Sequence, residues 1–203
     1  MLLMKLILTL LMLSSLPATA ATNYLSACAS CHGKKGEGNA TLQAPSIASL
    51  PTWYTRPQIK NIKSQLRPAQ TNDVQMLAMK KIITSMSDDT ISSITDEIAA
   101  LARIPTTNTL KGNAERGAKL YEWHCIQCHR YNASGEKVFG SPPLTGLQDW
   151  YMLEQLKRFK DQRRGVDADD SGYKMHQVVQ RIEDEQSLID ILAYVATLAA
   201  AEK

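Results

Sequence analysis

The chain has 203 residues, 44% of them hydrophobic and 21% charged, with a formal net charge of +3. That length allows one large domain or two small ones. Residues 21–105 hold nine Lys/Arg against six Asp/Glu and residues 106–203 hold thirteen against fourteen, so neither half is a polycation and nothing points to nucleic acid.

In chain order, the first element is MLLMKLILTLLMLSSLPATA, with one early lysine (Lys5), an apolar run from Leu6 to Leu13 and a small-x-small ending at Ala18-Thr19-Ala20. This is the pattern of a cleaved secretory signal over residues 1–20. The run is too short for a spanning helix, and no later stretch is long enough to be one. The expected mature chain starts near Ala21 and is soluble outside the cytoplasm. Leu25-Ser26-Ala27-Cys28 also has the form of a lipoprotein cleavage box, but it lies beyond the apolar run, across polar Thr22 and Asn23.

Next comes Cys28-x-x-Cys31-His32, then an amphipathic pattern from Trp53 to Leu66, and then a closing helix marked by Ile91, Ile94, Ile98 and Leu101 at spacings of three and four. Asp88 and Asp89 stand at its start, where the positive end of the helix dipole favours them. Ile104-Pro105-Thr106-Thr107-Asn108 ends that helix and reads as a linker over 105–112. A helical stretch from Ala114 to His124 leads into Cys125-x-x-Cys128-His129. A second amphipathic segment follows from Trp150 to Arg163, and a second closing helix carries Leu188, Ile191, Val195 and Leu198.

The chain is written twice. An ungapped shift of 97 positions pairs Tyr24 with Tyr121, both cysteines and the histidine of each motif, Gly38 with Gly135, Pro45 with Pro142, Trp53-Tyr54 with Trp150-Tyr151, Gln58 with Gln155 and Arg67 with Arg164. The expectation is all-α: two tandem units at 21–104 and 113–203, each built on three helices. Units of this size bury little apolar surface and commonly need a staple, which a covalently held cofactor supplies.

The four cysteines are the only ones in the chain. A disulfide between cysteines three apart closes a very small ring and leaves the histidine without a role. A four-cysteine zinc site needs two such pairs within reach of each other. A thioredoxin-like site expects a βαβ setting and no trailing histidine. Haem attachment accounts for every fixed letter: each thiol adds across one haem vinyl as a thioether, and the adjacent imidazole becomes the proximal iron ligand. Two haem c groups are therefore expected, on Cys28, Cys31 and His32 and on Cys125, Cys128 and His129.

The two-copy layout, "CASCHGKKGEG" and "CIQCHRYNASGE", "APSI" and "SPPL", and "WYTRPQIKNIKSQLR" and "WYMLEQLKRFKDQRR" resemble the dihaem cytochrome c4 family over essentially the whole mature chain. The sequence departs from that pattern where Arg130 follows His129 in place of glycine. "SLPTW" likewise replaces a glycine and glutamine that the second copy keeps in Gly146-Leu147-Gln148. The resemblance implies two tandem class I cytochrome c domains and a periplasmic one-electron carrier without enzymatic activity. Its donor would be a quinol-oxidising complex or dehydrogenase and its acceptor a terminal oxidase or reductase. Two rival readings are the haem subunit of a flavocytochrome c sulfide dehydrogenase-like complex and a dihaem peroxidase, the latter requiring an open iron.

The distal ligand sets the potential, since methionine raises it and a second imidazole lowers it. Met76, Met79 and Met86 compete in the first unit, and Met175 with neighbouring His176 in the second. Met79 and Met175 agree only if a one-residue slip in the repeat is accepted, within segments expected to be loops. Both are followed by six residues and then an apolar residue with an acid two places on, as the resemblance implies for the ligand, and Met79 and Met175 are assigned on that basis. Met76 and Met86 are then core filling, and His176 and His124 stay off the iron.

Trp53/Tyr54 and Trp150/Tyr151 either bond haem propionates or pack on the porphyrin edge. Arg67 and Arg164 either pair with propionates or form solvated helix ends. Lys157, Arg158, Lys160, Arg163 and Arg164 form a run that either steers an acidic partner or is a wet face.

Overall fold

A computed structural model describes residues 22–201; the segment 1–20 expected to be a signal lies outside the described residues. The first half contains α1 (Tyr24–Ala27), α2 (Ala29–His32), α3 (Thr52–Lys63), α4 (Val74–Thr84) and α5 (Asp88–Ala100). The second contains α6 (Ala114–His124), α7 (Ile126–His129), α8 (Asp149–Lys160), α9 (Asp170–Val179) and α10 (Glu185–Ala201). Among the described residues there is no strand, only two isolated bridges, Asn39 with Ala44 and Glu136 with Ser141, which are equivalent positions in the repeat.

Local chemistry fixes the helix starts. Ser87 accepts the Thr90 N–H at 3.1 Å ahead of α5, whose first turn holds Asp88 and Asp89. Asn113 accepts the Arg116 N–H at 2.9 Å ahead of α6. Asp184 accepts the Ser187 N–H at 2.6 Å at the head of α10. The apolar faces read from the sequence are inside: Ile91, Ile94 and Ile98 on α5 and Leu188, Ile191 and Val195 on α10 are all buried. Helices α6 and α10 cross closely, because a Cβ at Gly117 would stand 1.9 Å from the Asp190 carbonyl oxygen. Tyr121 and Tyr194 meet edge to face beside that crossing, with ring centres 5.4 Å apart.

Each half has four or more helical elements, more than the three read from the sequence. The segments expected as loops around Met79 and Met175 are helices α4 and α9. Asp73 caps α4 by accepting the Met76 N–H at 3.0 Å, and Asp169 caps α9 by accepting the Gly172 N–H at 3.2 Å. These caps are 96 positions apart, as are Met79 and Met175, Ile83 and Val179, and Met86 and Ile182. The repeat thus loses one residue between Arg164 and Asp169 and regains it before Leu188, and the slip is anchored by a cap at the same helical position in both copies.

The stretch read as a linker is strapped to the second half. Thr106 donates its hydroxyl to the Leu147 carbonyl at 3.3 Å, and buried Asp149 accepts the Thr109 N–H at 2.5 Å and the Leu110 N–H at 2.7 Å. Buried Asp190 accepts the Asn113 N–H at 2.9 Å and pairs with Arg116.

The halves meet through a reciprocal cluster. Arg67 donates to Tyr151 Oη and Gln155 Oε1, both at 3.1 Å, and to Gln58 Oε1 at 3.2 Å. Arg164 donates to Tyr54 Oη at 3.3 Å, to Gln58 Oε1 at 2.7 Å and to Gln155 Oε1 at 2.8 Å. Exchanging each residue for its repeat partner turns one set into the other, so the interface has local twofold character. Gln148 breaks that symmetry: it bridges to the first half by accepting the Ser46 N–H at 2.7 Å and donating to the Glu37 carbonyl at 2.9 Å. Pro51 occupies its equivalent position and has no amide to offer.

Candidate functional site

Each attachment motif sits where two helical elements share a cysteine as junction: Cys28 ends α1 and starts α2, and Cys125 ends the longer α6 and starts α7. The amide of each motif histidine donates to the carbonyl of the first cysteine at 2.9 Å, which holds the three residues on one tight turn. Tyr24 hydroxyl donates to the Gly33 carbonyl at 2.5 Å and Tyr121 hydroxyl to the Arg130 carbonyl at 2.7 Å, closing the turn from behind in both copies.

His32 and His129 are buried. Nδ1 of His32 lies 2.8 Å from the Pro45 carbonyl and Nδ1 of His129 lies 3.1 Å from the Pro142 carbonyl. A carbonyl can only accept, so Nδ1 carries the proton and Nε2 keeps a free lone pair, the tautomer a metal ligand needs. Burial lowers the basicity of both rings, that of His129 to about 4, so the imidazoles are neutral near pH 7. Burial also pushes the thiol of Cys28 up to about 11 and that of Cys125 up to about 12.

In the second half a cavity brings the separated candidates together. Cys125, His129 and Met175 line it, with Leu144, Leu156 and Val195 among its apolar walls. His176 does not line it, and its Nδ1 lies 2.5 Å from the Phe159 carbonyl. In the first half Met79 is partly buried against the core, Met76 likewise, and Met86 is buried within it.

The same cavity reaches the interface, where Tyr54, Gln58, Tyr151, Gln155 and Arg164 complete its wall. Arg67 and Arg164 are both buried, which rules out solvated helix ends. Among the described residues neither guanidinium is in ion-pair distance of a carboxylate, and buried Nε of Arg164 has no hydrogen-bond partner. Unpaired buried charge is costly, and a haem whose propionate carboxylates meet these arginines satisfies it. A largely apolar chamber lined by the Cys125 thiol, the neutral His129 imidazole and the Met175 thioether, with one buried cationic donor, Arg164 Nε, left without a partner, fits that cofactor. Burial raises the Tyr151 phenol, but Arg67 and Arg164 beside it outweigh burial and hold it below its usual value.

The basic run from Lys157 is committed internally. Lys157 pairs with Glu185 at 2.6 Å, Arg158 with Glu154 at 2.8 Å and with Asp73, and Arg163 with Asp161 at 3.0 Å. Lys160 donates to the Ile182 and Glu183 carbonyls, and Arg164 is buried. Each of these side chains therefore has a partner within the molecule, Arg158 and Arg164 being withdrawn from solvent while Lys157 and Arg163 stay partly exposed in surface ion pairs.

The cytochrome c family model matches this chain twice, over residues 18–102 and 114–199. The cytochrome c4 of Pseudomonas aeruginosa is 28% identical over 188 residues, spanning 89% of this chain and 88% of that one. The thiosulfate dehydrogenase electron acceptor of Thiomonas intermedia is 28% identical over 176 residues, spanning 83% and 77%. The structure of Acidithiobacillus ferrooxidans cytochrome c4 superposes with a TM-score of 0.68 at 22% identity, covering 85% of this chain and 98% of that one. Among the described residues no helix is long and apolar enough to cross a membrane. With one matched domain around each Cys-x-x-Cys-His motif, the chain belongs to the cytochrome c family, as a tandem, two-haem-c electron carrier similar in layout to cytochrome c4.

Proposed function

We propose that this cytochrome is an exported shuttle with both axial positions of each iron filled, His32 and Met79 in the first domain and His129 and Met175 in the second. The convergence of Cys125, His129 and Met175 on one cavity carries this reading, and the cap-anchored register extends it to Met79. When bound, the haem supplies a one-electron couple at its iron. The cysteine pair of each domain would hold it as thioethers, each imidazole is already fixed through its proline carbonyl, and Met79 and Met175 would supply a soft sulfur that favours the reduced state. Arg67 and Arg164 would receive the propionates where the domains meet. With both ligands bound, the iron would offer no open position for substrate chemistry of the peroxidase type.

The localisation is periplasmic, resting on the signal pattern of residues 1–20. The donor is a dehydrogenase or quinol-oxidising complex and the acceptor a terminal oxidase or reductase. The relatives named as acceptors for thiosulfate dehydrogenase favour a sulfur-oxidising dehydrogenase as the donor.

The ligand assignment is tested by the far-red sulfur-to-iron charge-transfer band of the oxidised holoprotein. Met79→Ala and Met175→Ala should each remove about half of it while His176→Ala leaves it intact; a band insensitive to either methionine would overturn the assignment. Rapid mixing of the oxidised protein with a thiosulfate dehydrogenase and thiosulfate tests the donor, and an absence of haem reduction would remove that partner.

A further inference from the structure

Asp73 uses its two oxygens in different domains. Oδ1 accepts the Met76 N–H at 3.0 Å and so closes the first turn of α4. Oδ2, buried and without a hydrogen-bond partner, lies in ion-pair contact with Nη1 of Arg158, which stands on α8 of the second domain. The pair is well withdrawn from solvent, with side chains 10% and 15% exposed. Arg158 is itself held in place by Glu154 one helical turn earlier, at 2.8 Å. Met79 lies six residues beyond Asp73 on the same short helix, partly buried against the core.

The arrangement has no mirror image. Asp169 caps α9 as Asp73 caps α4, but the residue equivalent to Arg158 in the first domain is Asn61, which has no charge to offer. Among the described residues no ion pair joins Asp169 to the first domain; Arg67 acts on it only through its field. Only the first domain's methionine helix is pinned at its start by the other domain.

We propose that Arg158 is a positioning residue for Met79: by holding the cap of α4 across the domain boundary, it makes sulfur ligation at the first haem depend on the docked second domain. This rests on the reading of Met79 as the distal ligand. Loss of the ion pair frees the cap carboxylate to leave the helix terminus, and an α4 of eleven residues has few turns with which to compensate.

The test uses the oxidised holoprotein at fixed pH in a Met175→His background, where the far-red band reports on the first haem alone, with imidazole titrated as the competitor for the Met79 position. Arg158→Ala should tighten imidazole binding about three- to tenfold. Asp73→Asn, which keeps a capping oxygen but loses the charge, should give a smaller shift in the same direction. In the converse Met79→His background, where the band reports on the second haem, Arg158→Ala should change nothing. Equal imidazole affinity with and without Arg158, or an equal shift in both backgrounds, would overturn the proposal. Absence of the band from the Met175→His parent would instead sink the Met79 assignment itself, before any Arg158 variant is made.

Discussion

Arg67 and Arg164 cross the domain boundary in opposite directions, and each ends on the tyrosine that the repeat pairs with its own: Arg67 on Tyr151 and Arg164 on Tyr54. Gln155 Oε1 accepts from both guanidinium groups, at 3.1 and 2.8 Å, and is buried. Gln155→Leu roughly keeps the volume and removes that acceptor, leaving Arg164 Nη1 unpaired away from water and Arg67 Nη2 with Tyr151 alone. A loss of about 2 kcal/mol is expected in urea unfolding of the holoprotein, and Gln58→Leu should match it through the local symmetry. An unchanged midpoint in both would mean that the propionates alone satisfy the arginines.

Arg130 should be a site of stored strain. It has φ 68° and ψ 164°, where the first domain has Gly33 at φ 82°. That region is close to glycine-only. Arg130→Gly should stabilise the protein by about 1 kcal/mol or more, because the exposed Arg130–Glu136 pair it gives up is worth little. Arg130→Ala gives up the same pair and keeps a Cβ, so it should not stabilise. Urea midpoints of the three proteins at constant slope decide the matter.

Gly117 predicts the opposite sign. A methyl group there meets the backbone of α10 at Asp190, which no side-chain rotation relieves. Gly117→Ala should force α6 and α10 apart and cost about 2–3 kcal/mol. The loss should appear as early amide exchange in the second domain, with the first domain's exchange unaltered.

Asp190 supplies a pH dependence. Burial raises its carboxyl, but the Asn113 amide, Gln186 and Arg116 outweigh burial and hold it below the ordinary 3.8. A depressed carboxyl contributes stability that is complete above the unfolded value and is lost as pH falls through the folded one. Asp190→Asn should therefore be less stable than the parent at pH 7 and by the same margin at about pH 5, with the gap closing below about pH 4. A gap that widened in acid would contradict the assignment. Urea midpoints at the three pH values measure it.

The parts legible in the sequence are those written in strict spacing. The duplicated motifs, the closing helices and the 97-position repeat could be read directly because covalent attachment and helical periodicity tolerate no slack. Helices α4 and α9 were not legible, and α4 shows why: Val74, Leu77 and Ile82 are exposed, so its apolar residues do not mark one buried face. The usable signal was the pair Asp73 and Asp169, each six residues before its methionine. The interface was hidden for a different reason. An arginine near a helix end looks alike in sequence whether it meets water or another domain, and only tertiary burial shows that Arg67, Arg158 and Arg164 are structural.

A contact that maps onto itself when the two repeats are exchanged is also the contact two separate molecules of a single-unit ancestor would make with each other. Tyr54, Gln58 and Arg67 meeting Tyr151, Gln155 and Arg164 thus preserve the form of a homodimer within one polypeptide. Within one polypeptide the two sides need not be identical, and the Gln148 bridge and the Arg158–Asp73 pair are contacts that one side makes alone.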